Sequence, residues 1–215
     1  MPPYVPEPAV LAAFTVAGII LFITPGPDMS LWLARTITGG RRAGIAAMLG
    51  TALGCTVHSC LAAAGISVLI SASPIAFNTM KIVGGLYLLW LAWGMIRHGT
   101  TFALDMSGPK APRLLPTFLT GLAVNLSNPK VVIFFITFLP GFVSATDPHA
   151  SGKLLFLGLY FVAFNTVLST FLIFGAERTV AFLRLNPHVL RVIDYLFAGV
   201  FGLFALKILT TRAQT

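Results

Sequence analysis

The sequence predicts an all-α membrane protein of six transmembrane helices, built as two inverted three-helix repeats with the first helix broken in each. Three observations carry that prediction: a composition too apolar for water, six apolar runs of spanning length, and a helix-breaking motif near the start of each half.

Of 215 residues, 57% are hydrophobic and 9% are charged, against roughly 25% charged in an ordinary soluble domain. Mean hydropathy is +0.91. So few charges cannot cover a water-facing surface, so the solvent is lipid. The length suits one integral membrane domain over residues 1–215. A net charge of +8 raises nucleic acid as a partner, but that requires a basic face in polar surroundings. Here the basic residues stand singly or in pairs between apolar runs, which excludes it. No Lys or Arg precedes Arg35, and the start "MPPYVPEPAV" is proline-rich and acidic. It lacks the form of a secretory signal peptide, so the first apolar segment is expected to remain in the mature protein.

A span needs about 20 mostly apolar residues. Six runs qualify: Pro8–Leu33, Ala43–Ile70, Thr79–Arg97, Leu114–Pro140, Leu154–Gly175 and Val192–Thr210. The joints between them are "TGGRR", "SASP", "RHGTTFALDMSGPKAPR", "SATDPHASGK" and "ERTVAFLRLNPH". The runs are too long, and too apolar on all sides, for the alternating strands of an outer-membrane barrel.

Basic residues set the orientation. Arg35, Arg41, Arg42, Arg97, Lys110, Arg113, Arg178, Arg184 and Arg191 fall in the first, third and fifth loops. Lys81, Lys153, Lys207 and Arg212 fall on the other side, and Lys130 lies within a span. The side richer in Lys and Arg is cytoplasmic, which puts both termini outside.

The halves resemble each other. "TPGPDM" at 24–29 pairs with "LSNPKV" at 126–131, and "KIVGGLYLLWLAW" from Lys81 pairs with "YLFAGVFGLFALK" from Tyr195. Repeat one then covers about 8–97 and repeat two about 114–210, joined by a loop at 98–113. Three crossings per half place the copies in opposite orientations. Inverted repeats with interrupted helices at matching positions mark the binding site of a secondary transporter.

The breaks have a physical reading. As one unbroken helix, Pro8–Leu33 would run about 39 Å, against roughly 30 Å of hydrocarbon. Pro25, Gly26 and Pro27 divide it, with Pro27 suited to the first turn of a new helix. The freed backbone groups must face protein or a water-lined cavity. A half-helix starting at Pro27 turns its positive end toward that cavity, which suits an anion such as a carboxylate. Asn125, Ser127, Asn128 and Pro129 repeat the pattern in span four, with Lys130 as a fixed cation.

Asp28 reads as the acid placed well inside a span, whereas Glu7, Asp105, Asp147, Glu177 and Asp194 fall in loops or at ends. An intramembrane carboxylate is a functional candidate by default. Three roles stand open: binding an ammonium group, carrying a proton, or pairing with Lys130 for structure. Matching breaks should bring the two residues close together.

In span two, Ala46, Gly50, Gly54 and His58 share one face. Small residues at this spacing let helices pack closely in lipid. His58 has two readings, a proton relay or a hydrogen bond to a nearby backbone carbonyl. Cys55, His58 and Cys60 suggest metal, but Cys60 falls on another face, so no metal or other cofactor is expected. A disulfide between cysteines about 7.5 Å apart along a helix would be distorted. Tyr87, Trp90 and Trp93 suit an interfacial belt. Phe134, Phe135, Phe138 and Phe142 suit packing or lipid contact, with Phe135 near enough to the break to line a pocket.

"GPDM…GRRAGIAAMLGTALG…H", then "KIVGGLYLLWLAWGMIR", then "NLSNPKVVIFFITFLPGFV" together resemble the LysE-type translocators, the lysine exporter and threonine/homoserine efflux family. The likeness runs from about Phe14 to Leu209. It implies a bacterial inner-membrane exporter of amino acids or close derivatives, driven by the proton gradient, with Pro25, Gly26, Pro27, Asp28, Asn128, Pro129 and Lys130 at signature positions. It also leads one to expect an acidic residue after Gly54, where this chain has Cys55. Under that reading the partners are a small-molecule substrate (an amino acid), protons and the bilayer, and a homodimer is left open. Two other classes remain: a transporter of a metal cation or a homoserine-lactone-like compound, and an intramembrane enzyme. The enzyme class needs a nucleophile–base pair or metal triad, and the sequence offers neither.

Overall fold

A computed structural model describes residues 3–72, 74–99, 113–144 and 147–210. Asp105 and Lys110 of the long joint and Arg212 near the end lie outside the described residues, as does the side chain of Lys81. The described chain is helical throughout, with no strand.

Helix α1 (Pro8–Ile23) starts on Pro8 and ends where Thr24 turns extended, φ −73°, ψ 112°. Helix α2 (Pro27–Ala72) follows after a three-residue break. Within α2, Gly40 has φ 78° and ψ 172°, a conformation that costs a residue with a Cβ but not glycine. The chain turns there. Trp32 Nε1 on one limb donates to Thr51 Oγ1 on the other at 3.0 Å, so the limbs run side by side. The joint expected at "TGGRR" is thus one residue in a helical hairpin, and the first segment runs past the expected Leu33 to Gly39.

Helix α3 (Pro74–His98) starts five residues earlier than expected. Helix α4 (Leu114–Leu126) breaks at Ser127–Asn128, and α5 (Pro129–Ile133) continues through a π-helical turn (Phe134–Phe138) and a 3-10 turn (Leu139–Phe142). The two pieces meet at 53°. Helices α6 (Ala150–Phe174) and α8 (Pro187–Thr210) flank α7 (Ala176–Leu185). The stretch expected as a plain joint, "ERTVAFLRLNPH", therefore holds a ten-residue helix. Charges every few residues removed it from any search for apolar runs, yet Ala176, Val180 and Leu183 line up on one buried face.

Three helical segments are long and apolar enough to cross a membrane among the described residues: Pro27–Gly65, Ala150–Phe174 and Pro187–Thr210. The bent pair around residues 127–128 makes a fourth.

The interior is aromatic. Phe14, Phe134, Phe135, Phe138, Phe161, Phe197 and Phe201 are fully buried, and Phe138 meets Phe201 and Phe204 at centroid separations of 4.6 and 4.1 Å. The outside is apolar as well: Leu61, Trp90, Trp93, Phe171 and Leu203 are all at least 60% exposed, as lipid permits and water does not. The small ridge of α2 packs directly on α4. A Cβ at Gly50 would strike the backbone of Phe118 and Leu122, and one at Gly121 the backbone of Ala47.

Two polar joints close the frame. Arg191 donates to the last carbonyls of α3, from Nη1 to Met95 O at 3.1 Å and from Nη2 to Ile96 O at 2.6 Å. Cations at this end also suit the helix dipole. Its neighbour Asp194 is 1% exposed, so this acid, expected at a span end, is buried seven residues into α8. Before α6, Asp147 pairs with Lys153 at 2.5 Å and accepts from His149 N at 2.8 Å. The Lys153 hydrogen bond, then that of His149, holds its carboxyl below the ordinary value.

Candidate functional site

The two breaks face each other. At the first, α1 runs out because Pro25 and Pro27 bring no N–H. In an unbroken helix Leu21 O would accept from residue 25, but Pro25 has nothing to donate. The donor comes from the other break. Lys130 Nζ lies 3.2 Å from Leu21 O and 2.7 Å from Thr24 O, so its ammonium closes the negative end of α1. Gly26 leaves room for it, since a Cβ there would stand 3.1 Å from that nitrogen.

At the second break, Asn128 caps α5 by accepting from Lys130 N at 3.1 Å. Its Nδ2 donates to Asp28 Oδ1 at 3.1 Å, while Asn125 Nδ2 donates to Asp28 Oδ2 at 2.7 Å. Asn125 and Asn128 are fully or almost fully buried. Each break thus completes the other: the acid of the first takes two amides of the second, and the lysine of the second takes two carbonyls of the first.

Asp28 and Lys130 lie close, but they are not bonded to each other. Each has nearer partners across the gap. A bare charge pair is therefore not what holds the breaks together.

Asp28 sits between two cavities. One is lined by Asp28, Trp32, Thr51, Cys55, Asn165 and Ser169 among others. The second is lined by Thr24, Gly26, Asp28, Lys130, Phe161 and Asn165 among others. Trp32, Cys55 and Asn165 border both. This arrangement can offer a carboxylate, an ammonium and amide groups to one small zwitterion, beside apolar wall from Met48, Val162 and Phe161.

Cys55 is buried, with Asn125 Nδ2 3.4 Å from its sulfur, whereas Cys60 is exposed on another face. His58 lies one turn beyond Cys55, stacked on Phe135 at 5.6 Å. Its Nε2 is buried without a hydrogen-bond partner among the described residues. His58 and Phe135 border neither cavity. Pro27 and Pro129 open α2 and α5.

Sequence reasoning missed Trp32, Thr51, Asn165, Thr166 and Ser169. A signal was present on α6, where "NTVLS" puts Asn165, Thr166 and Ser169 at helical spacing inside an otherwise apolar span.

The chain has relatives among known proteins. The chain is 30% identical to the uncharacterized membrane protein YahN of Escherichia coli strain K12, over 89% of this chain and 85% of that one. It is 27% identical to a leucine efflux protein of Klebsiella pneumoniae, over 93% of this chain and 94% of that one. It is 28% identical to a leucine efflux protein of Enterobacter sp. strain 638, over 91% and 92%. No solved structure matches it. The family model of the LysE type translocator matches residues 19–212, and with paired breaks inside that span the chain belongs to the LysE type translocator family.

Proposed function

We propose that this translocator is a secondary active exporter of a neutral amino acid or close derivative across a bacterial inner membrane, coupled to protons. The carrying observation is the reciprocal bonding of the two breaks around Asp28 and Lys130, beside a cavity that both residues border. In the proposed architecture, α1 with the first limb of α2 forms span one, and the second limb forms span two. Helix α3, the broken α4–α5 segment, α6 and α8 form the remaining four. The halves are inverted, the arginine-rich loops are cytoplasmic and both termini lie outside.

The substrate ammonium would approach Asp28 and its carboxylate Lys130, while an apolar side chain rests on Trp32, Met48 and Val162. The names of the leucine efflux relatives support a leucine-like side chain. Protonation of Asp28 would release the ammonium, so proton and substrate compete for one carboxylate.

Purified protein in liposomes with an imposed pH gradient tests this. Labelled leucine is expected to accumulate against its gradient, and Asp28→Asn is expected to abolish that accumulation. Gradient-driven accumulation undiminished in Asp28→Asn refutes the coupling role. Transport of other amino acids with no leucine flux refutes the substrate assignment alone.

A further inference from the structure

Helix α7 has two apolar faces. Ala176, Val180 and Leu183 are buried against the protein, and Ala176 and Val180 join the cluster around Trp32 and Met48. On the opposite side, Phe182 and Leu185 are 52% and 79% exposed. At 100° per residue, Arg178 falls between those two exposed side chains. Arg184 is exposed on the flank. Beside the start of the helix, exposed Arg41 stands over the half-exposed ring of Phe174, 4.9 Å from its centroid. Among the described residues, Arg178 and Arg184 form no hydrogen bond or ion pair, and Glu177 is the acid on α7.

From this we infer that α7, with Arg41, binds a phospholipid bearing an anionic headgroup. The two halves of the surface choose the ligand together. A free phosphate would satisfy the guanidinium groups but leave Phe182 and Leu185 uncovered. A zwitterionic lipid would cover the aromatic and leucine side chains, yet it offers the arginines a phosphate already balanced by its own cation. An anionic phospholipid meets both needs: acyl chains on Phe182 and Leu185, and phosphate at Arg178 and Arg184.

The test is native mass spectrometry of the full-length protein in mild detergent, titrated with phosphatidylglycerol and phosphatidylethanolamine. Phosphatidylglycerol is expected to be retained in preference. Removing charge in Arg178→Gln/Arg184→Gln is expected to lower that preference about fivefold per arginine, as follows from about 1 kcal/mol per basic residue near a charged surface, while Arg178→Lys preserves it. Phe182→Ser/Leu185→Ser should weaken retention of both lipids without changing their ratio. An unchanged ratio in the double arginine variant overturns the inference, as does glycerol phosphate competing as well as the intact lipid. Should the double variant not fold, the wild-type protein decides: the preference must vanish in about 1 M salt, where screening acts within about 3 Å, and persistence there overturns it.

Discussion

The ammonium of Lys130 lies 2.7 Å from the carbonyl oxygen of Thr24, across more than a hundred residues of chain. It also reaches Leu21 O, the acceptor that Pro25 leaves without its helical donor. A proline in one half has therefore created the requirement that a lysine in the other half meets.

That relationship predicts coupling. Lys130→Met is expected to destabilise the protein by about 1.5–3 kcal/mol, the scale of a hydrogen bond to a charged group, and to abolish transport. In a Pro25→Ala background, where residue 25 regains an N–H, the stability cost should be smaller. A double-mutant cycle on thermal unfolding in detergent reads the difference. Additive effects would show that Lys130 does not stand in for the missing donor.

Asn125 serves the acid. Asn125→Leu removes the 2.7 Å donor to Asp28 and should cost about 1–3 kcal/mol for an unsatisfied buried group. The same change is expected to shift the pH profile of transport, since that donor favours the charged carboxylate. Asn125→Leu with an unaltered pH profile would separate the amide from the coupling chemistry.

Packing between α2 and α4 should be intolerant. Gly121→Val places its side chain against the backbone of Ala47 and is expected to cost at least about 1–3 kcal/mol, the usual penalty of overpacking. Gly94→Ala, inside α3, meets open space and should hold stability or raise it by up to about 1 kcal/mol. Yield and thermal stability, measured side by side, check the contrast.

Asp147 sets a pH dependence away from the transport site. Its carboxyl is held below the ordinary value by Lys153 and the His149 N–H, so the charged form is favoured on folding. That stability is present above the ordinary carboxylate pKa of about 4 and is lost as pH falls below it. Protection of the first-turn amides of α6, taken as the intrinsic exchange rate over the observed one, should fall below about pH 4 in the wild type. Asp147→Asn should show that reduced protection at every pH.

The breaks were legible because their cause is local: proline has no N–H wherever it stands, and TPGPD and SNPK announce it. Proximity of Asp28 and Lys130 followed from matching the halves. Their partners did not, because charge alone suggests a pair, while the acceptor Lys130 takes on Leu21 arises only once Pro25 has left that oxygen open. Burial of Asp194 depends on how α3 docks against α8, which no run of apolar letters records. Helix α7 escaped because its arginines read as a joint until Ala176, Val180 and Leu183 are seen to share a face. Asn165 was visible as a polar residue in an apolar span, but its two cavities belong to residues from three other segments.

The turn at Gly40 has a mechanical consequence. No slack separates the limbs of α2, and the Trp32–Thr51 bond pins them above the turn. Whatever swings the short limb after Pro27 must drag the long one with it, like the arms of a pair of tongs. A pivot at Thr24–Gly26 would then work against the Lys130 clasp at one end and against the seat of the long limb on α4 at the other.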